Sequence, residues 1–364
     1  MTSPSPLHRH QSSLEGILDF STGWPLAAEE RVDGKRRFYR ILDHFETGDE
    51  SSKSQYSRSR LVRFTYEYAL SEESRDNLLR AFFRAVGVSI HGQEELEFEE
   101  LRANFFGFAD HLLDHFFLPL KLQLEKLPSL PQRITLQSNK YRGGCRSLLG
   151  RQIGCRLSEE PASSKDGDDA LDDEGTALRD DPRSFDVLEV AHILPHSLTK
   201  TNASSQLDPS REAALTILNM FDNGVTHLIE GADIDRPRNA VTLTHGLHNF
   251  FGSFQVFFEP LPDQPPHTYK IGSFLPRYIF RDPPLPVTRT LYLTDTRIID
   301  PPSPRLLAVH RAIAHILHLS AAGDYIDRLL RDLDEKGIRA DGSTELGRLL
   351  KLGLAGWLNS TVCT

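Results

Sequence analysis

The sequence predicts an α+β protein, mostly helical by residue count, with a small strand-strand-helix unit embedded between N- and C-terminal helices. Three observations carry that class. Val187 to Leu194 is an apolar, strand-like run closed by Pro195; Ala240 to Leu243 is a second short run rich in β-branched and apolar residues; and Leu247 to Phe254 changes to a helical period. On both sides of this unit, apolar residues recur at helical spacing.

Taken in order, the N-terminal tail MTSPSPLHRHQSS lacks the apolar core of a signal peptide, and no stretch approaches the ~18–20 apolar residues of a membrane span. The expectation is an intracellular protein of nucleus or cytoplasm, with no membrane partner. An apolar-polar patch around Leu14 to Leu26 precedes a basic segment, RVDGKRRFYRILDHF, which reads as a solvated helix face, and a Ser-rich link, ESSKSQYSRSR. SEESRDNLLRAFFRAVG, from Ser71, has an N-cap serine, glutamates in its first turn and a closing Gly87, the start and stop signals of a helix.

Leu101 to Leu118 repeats apolar residues at helical spacing. Its His111 and His115 lie four apart on one face, and with no third ligand evident they are expected to pack rather than bind metal. Arg142 to Leu157 leads into the strand unit. Between the two strands, Arg211 to Phe221 reads as an amphipathic helix, and His227, after the Asp-Asn-Gly turn, as loop or strand surface. SFQVFFEPLPDQPPHTYKI reads as two strands around a Pro-rich turn. The C-terminal part is helical again: a helix opening near Pro304 and closing at Gly323, a second over DYIDRLLRDLDEKG, and a third from Ser343 to Leu358. His310 and His315 lie on different helix faces, so with His318 they are expected to be packing or surface residues.

The 364 residues can bury one sizeable core or two smaller ones. The cysteines are Cys145, Cys155 and Cys363, too few and too scattered for a disulfide framework or a structural zinc knuckle. A net charge of −9 argues against a nucleic-acid partner until its distribution is considered. Glu159 to Asp181 holds ten acidic residues against Lys165 and Arg179, a local −8 that leaves −1 for the rest of the chain. This stretch is expected to be a disordered insertion over 159–183.

Two motifs remain, LEVAHILPHSL and RPRNAVTLTHGLHNFFGSF. A strand-loop-strand-helix path through them can bring His192, at the end of one strand, close to His248 on the helix, with Asn239 at the mouth of the second strand. In letters, order and spacing, AHILP, then RN before an apolar strand, then LH opening an aromatic-rich helix resemble an HNH (ββα-metal) nuclease domain. The variety is that of fungal proteins with an AHI-x-P first motif.

The resemblance covers roughly Arg142 to Ile271 and divides the chain into a 1–140 N-terminal helical region, a 141–280 nuclease-like domain and a 281–364 C-terminal helical region. It implies that His192 is the general base, that Asn239 holds the loop orienting it, and that His248 is a metal ligand. It also implies hydrolysis of nucleic-acid phosphodiester bonds, DNA ahead of RNA, with a single divalent ion (Mg, Mn, Ni or Zn). The residue types suit the chemistry. An imidazole titrates near neutrality and can take a proton from water, and a neutral imidazole can hold a divalent ion.

The chain departs from the family where many members carry a second ligand directly before the base, because Ala191 stands there. Glu189, Asp186, His245 or His196 are the candidates to replace it. Gly252 stands one helical turn after His248, where other subfamilies place another ligand. These departures keep open an alternative, an inactive HNH fold used for nucleic-acid binding or interaction.

Overall fold

Ser71 and Gly87 bracket a helix as their chemistry dictates. The Ser71 hydroxyl accepts a hydrogen bond from the Ser74 amide at 3.1 Å, and Gly87 takes φ +82°, a left-handed conformation that glycine adopts without a Cβ penalty. The computed structural model describes residues 25–49, 56–92, 95–125, 188–201, 207–280, 284–291, 299–334 and 345–358. The readings made for the N-terminal tail, for Arg142 to Leu157, for the acidic segment 159–183 and for all three cysteines lie outside the described residues.

The described helices are α1 (Ala28–Asp49), α2 (Arg58–Glu67), α3 (Glu72–Val86), α4 (Phe98–Leu112), α5 (Leu118–Glu125), α6 (Pro209–Asn219), α7 (His245–Gly252), α8 (Pro304–Leu319), α9 (Ala322–Asp334) and α10 (Leu346–Leu354). Two small antiparallel sheets accompany them. One pairs β1 (Leu188–His192) with β2 (Ala240–Thr244); the other has the order β3 (Val256–Pro260), β4 (Thr268–Ser273), β5 (Val287–Thr290). The class is therefore α+β and mostly helical, as the sequence predicts. Among the described residues no single helix is long and apolar enough to cross a membrane.

The chain forms two compact units, each built from separated segments. One comprises 1–118, 212–223 and 316–348, the other 119–211, 224–315 and 349–364. In the first, the basic segment is not merely a solvated face. It lies in α1, which buries Phe38, Ile41, Leu42 and Phe45 along one stripe. These residues join an aromatic core in which Phe38 meets Phe82 edge-on at 4.9 Å and Phe45 stacks on Phe105 at 4.7 Å. The last residues of the Ser-rich link also wind into a helix. Ser57 caps α2 by accepting from the Arg60 amide at 3.3 Å.

The helix expected over Leu101 to Leu118 starts earlier and is interrupted. After α4 the chain widens into a π-helical turn, Leu113–Phe117, before α5. Pro119 has no amide hydrogen and its ring crowds the carbonyl four residues back, and a widened turn relieves both. His111 and His115 do pack, with ring centroids 4.4 Å apart. The first C-terminal helix ends at Leu319 rather than Gly323. Ala321 takes φ +60° there, and Gly323 falls inside α9.

The second unit contains both sheets. Strand β1 runs antiparallel to β2 with Leu188 opposite Thr244 and His192 opposite Ala240. Helix α7 follows β2 without a gap, so the hairpin carries its helix directly on its end. Phe251 of α7 and Phe254 just beyond it stack on the ring of His310 in α8, with centroids at 3.9 and 4.6 Å. His310 is fully buried and its Nε2 lies 3.0 Å from the Phe251 carbonyl, so it is a packing residue.

Candidate functional site

The strand-strand-helix unit brings two histidine-carboxylate groups together, one at the end of β1 and one between β1 and α7. His192 closes β1 and is only 3 % exposed. Its Nε2 lies 3.3 Å from Oδ1 of Asp235, and its Nδ1 is buried with no hydrogen-bond partner among the described residues. The other oxygen of Asp235 lies 3.5 Å from Nε2 of the half-exposed His196. Burial holds the His192 imidazole below its ordinary range. The Asp235 carboxylate pulls the other way, while His196 and His248 add to the effect of burial.

Asn239 sits at the end of a short 3-10 turn, Pro237–Asn239, and is wholly buried. Its amide nitrogen donates to the carbonyls of Leu194 and Ile234, both at 2.8 Å, and its oxygen accepts from the Leu194 amide at 3.0 Å. The carbonyl of Asn239 accepts from the Ile193 amide at 2.8 Å. A short side chain with two donors and two lone pairs is what such a clamp requires. It ties the loop leaving His192 to the turn that ends at Asp235.

His248 lies on the buried side of α7. Its Nδ1 is 2.7 Å from Oε2 of Glu189, and the Nδ1 of the exposed His245 is 2.8 Å from Oε1 of the same residue. Strand alternation puts Glu189 on the same face as Ala191, so the longer side chain reaches α7 while the alanine methyl is buried. Hydrogen bonds from His245, and then His248, keep the Glu189 carboxyl below the usual carboxylate range. The two imidazoles are not equivalent. Asn249 lies 3.2 Å from Nε2 of His245, so both ring nitrogens of His245 are engaged, whereas Glu189 engages only Nδ1 of His248.

All three residues singled out in the sequence therefore fall in one neighbourhood of the second unit. His227 stands apart, exposed in the turn Val225–Leu228. Asp186 lies outside the described residues. Asp235 escaped the sequence reading; its one signal is an acid placed four residues before Asn239 in GADIDRPRN.

At Gly252 backbone lies close. A Cβ there would meet the Leu124 carbonyl oxygen at 3.0 Å, so a side chain at this position requires that carbonyl to give by a few tenths of an ångström. Among the described residues no group of three or more His, Cys, Asp or Glu side chains is disposed to hold a metal ion. A closed protein cage is thus lacking there. The donor chemistry of His248 fits an ion held by one protein ligand, because a ligating imidazole is ordinarily supported through its other nitrogen by a carboxylate.

No curated protein and no solved structure matches the chain. Residues 162–259 match a family model described as HNH endonuclease, a stretch that includes β1, β2, α7 and all three of His192, Asn239 and His248. The chain carries a domain of the HNH endonuclease family.

Proposed function

We propose that this domain hydrolyses phosphodiester bonds of nucleic acid, DNA ahead of RNA, with His192 as general base, Asn239 as the clamp of its loop and His248 as the protein ligand of a single divalent ion. The observation that supports this most is the state of His192. Burial favours the neutral ring, and Nδ1 has no hydrogen-bond partner among the described residues. A neutral imidazole with an uncommitted lone pair is a proton acceptor at neutral pH, which is what activating a water against phosphorus requires.

When bound, a divalent ion supplies Lewis acidity and a clamp on the phosphate. On this chain Nε2 of His248 is the nitrogen left to hold it, with Glu189 orienting the ring through Nδ1. Asn239 fixes the loop after His192, so the base does not have to be reordered at each turnover.

The test is nicking of supercoiled plasmid by the purified full chain across Mg, Mn, Ni and Zn, beside a single-stranded RNA substrate and the His192→Ala form. The expected result is metal-dependent cleavage that His192→Ala lowers by roughly 10²–10⁴-fold. Equal rates for the two proteins would remove His192 from the chemistry.

A second reading, a non-catalytic HNH fold that binds nucleic acid, is favoured by Ala191 in place of a ligand and by the lack of a three-residue cage among the described residues. Binding without cleavage under every metal condition would select it.

A further inference from the structure

We propose that Asp235 is the positioning residue for His192, accepting a hydrogen bond from Nε2–H so that the lone pair is fixed on Nδ1. The proposal deepens the nuclease reading and rests on it for its catalytic consequence, but not for its structural content. A neutral imidazole has two tautomers, and the partner of one nitrogen decides which atom keeps the proton. With Asp235 Oδ1 at 3.3 Å, a proton on Nε2 meets an acceptor, whereas a bare Nε2 would set two lone pairs against each other. The second tautomer would also bury an N–H on Nδ1 with no acceptor for it among the described residues, a costly arrangement. Both considerations select the form in which Nδ1 is the basic atom.

The carboxylate is placed by the fold. Asp235 ends the turn Gly231–Asp235, and the preceding carbonyl, Ile234, is gripped by the Asn239 amide at 2.8 Å. The same amide nitrogen grips the carbonyl of Leu194, two residues beyond His192, at 2.8 Å. One buried side chain therefore sets the separation between base and carboxylate. The neighbouring acid, Asp233, is already paired with Arg236, which leaves Asp235 to the histidines. The groups facing His192 are Asp235, His196 on the other carboxylate oxygen, and His248 from α7.

The test uses the full chain labelled with ¹⁵N and long-range proton-nitrogen correlation spectra of the histidine rings. The parent should show His192 protonated on Nε2. Asp235→Ala should give a mixture of tautomers and a His192 titration moved to lower pH, since a carboxylate that favours the charged ring is gone. In cleavage assays kcat should fall by roughly tenfold to a hundredfold, part of the ~10²–10⁴-fold a general base contributes, with KM nearly unchanged. If Asp235→Ala does not fold, Asp235→Asn keeps size and an acceptor oxygen. It should retain the Nε2–H form while still lowering the His192 titration.

A parent ring protonated on Nδ1, or an Asp235→Ala ring with tautomer and titration unchanged, would overturn the assignment. So would an Asp235→Asn titration unchanged from the parent, should only that variant fold. Failure of the nuclease reading shows separately, as a parent that cleaves nothing while its His192 tautomer is still read directly.

Discussion

Removing the side chain of Asn239 should cost the fold more than removing either histidine of the site. Asn239→Ala deletes three buried hydrogen bonds and leaves the Leu194 amide, the Leu194 carbonyl and the Ile234 carbonyl without their partner. Each buried backbone group so stranded costs ~1–3 kcal/mol, so even the low end gives about 3 kcal/mol. At roughly 2–4 °C per kcal/mol for a domain of 150–250 residues, the melting temperature should fall by about 6–12 °C. The histidines are different. Loss of His192 leaves Asp235 with His196, and loss of His248 leaves Glu189 with His245, so neither carboxylate is abandoned. Asn239→Asp sharpens the comparison. It keeps the acceptor for the Leu194 amide but aims a carboxylate oxygen at two carbonyl oxygens, and should be at least as destabilising as alanine. The assay is thermal unfolding of the full chain and the four variants, followed by circular dichroism and calorimetry. If Asn239→Ala melts within about 2 °C of the parent, less than 1 kcal/mol by the same conversion, the clamp is not what holds these loops.

Three further outcomes follow from the geometry. Glu189→Gln, which replaces a two-armed acceptor by one arm, should weaken divalent-ion affinity by roughly 10–100-fold in a calorimetric titration, while His192→Ala leaves it nearly unchanged; unchanged affinity in Glu189→Gln would separate that residue from the ion. Burial pushes the His310 imidazole down to about 3, whereas the unfolded ring protonates near ~6.5, so its stabilising contribution is complete above the unfolded value and is lost as pH falls toward 3. His310→Phe, which retains an aromatic ring over Phe251, should therefore lose less melting temperature than the parent across that window, and parallel profiles would contradict this. Gly252→His should destabilise the protein and leave metal affinity no higher, because the Leu124 carbonyl would have to give way; a tighter ion would show that the backbone yields.

Much of this arrangement is legible in the sequence because local chemistry and tertiary structure agree. Ser71 and Gly87 announce α3, Pro195 closes the run after β1, and LTHGLHNFF shows where the second strand turns into α7. What was missed depends on partners distant in sequence. The helix α2 begins inside a serine-rich stretch whose composition reads as linker, and only the buried faces of Leu61 and Val62 reveal it. Strand β5 has just four residues, alternately half-buried and exposed, and exists through its pairing with β4. Within the site, the three motif residues carry recognisable spacing, but the carboxylates do not. Glu189 was one of several candidates until its two oxygens met His245 and His248, and Asp235 has meaning only through the turn that returns it to His192.

The stacking of Phe251 and Phe254 on His310 also bears on the order in which the protein can mature during synthesis. The family match ends at residue 259, yet the ring that covers the apolar side of α7 is translated well after it. Until residues 304–315 have been made, both phenylalanines lack that ring. Such late, long-range closure slows folding and leaves apolar surface available to chaperones or to self-association. A fragment cut to the matched stretch would inherit that exposure permanently, so aggregation of such a fragment would report a missing cover and carry no information about its chemistry.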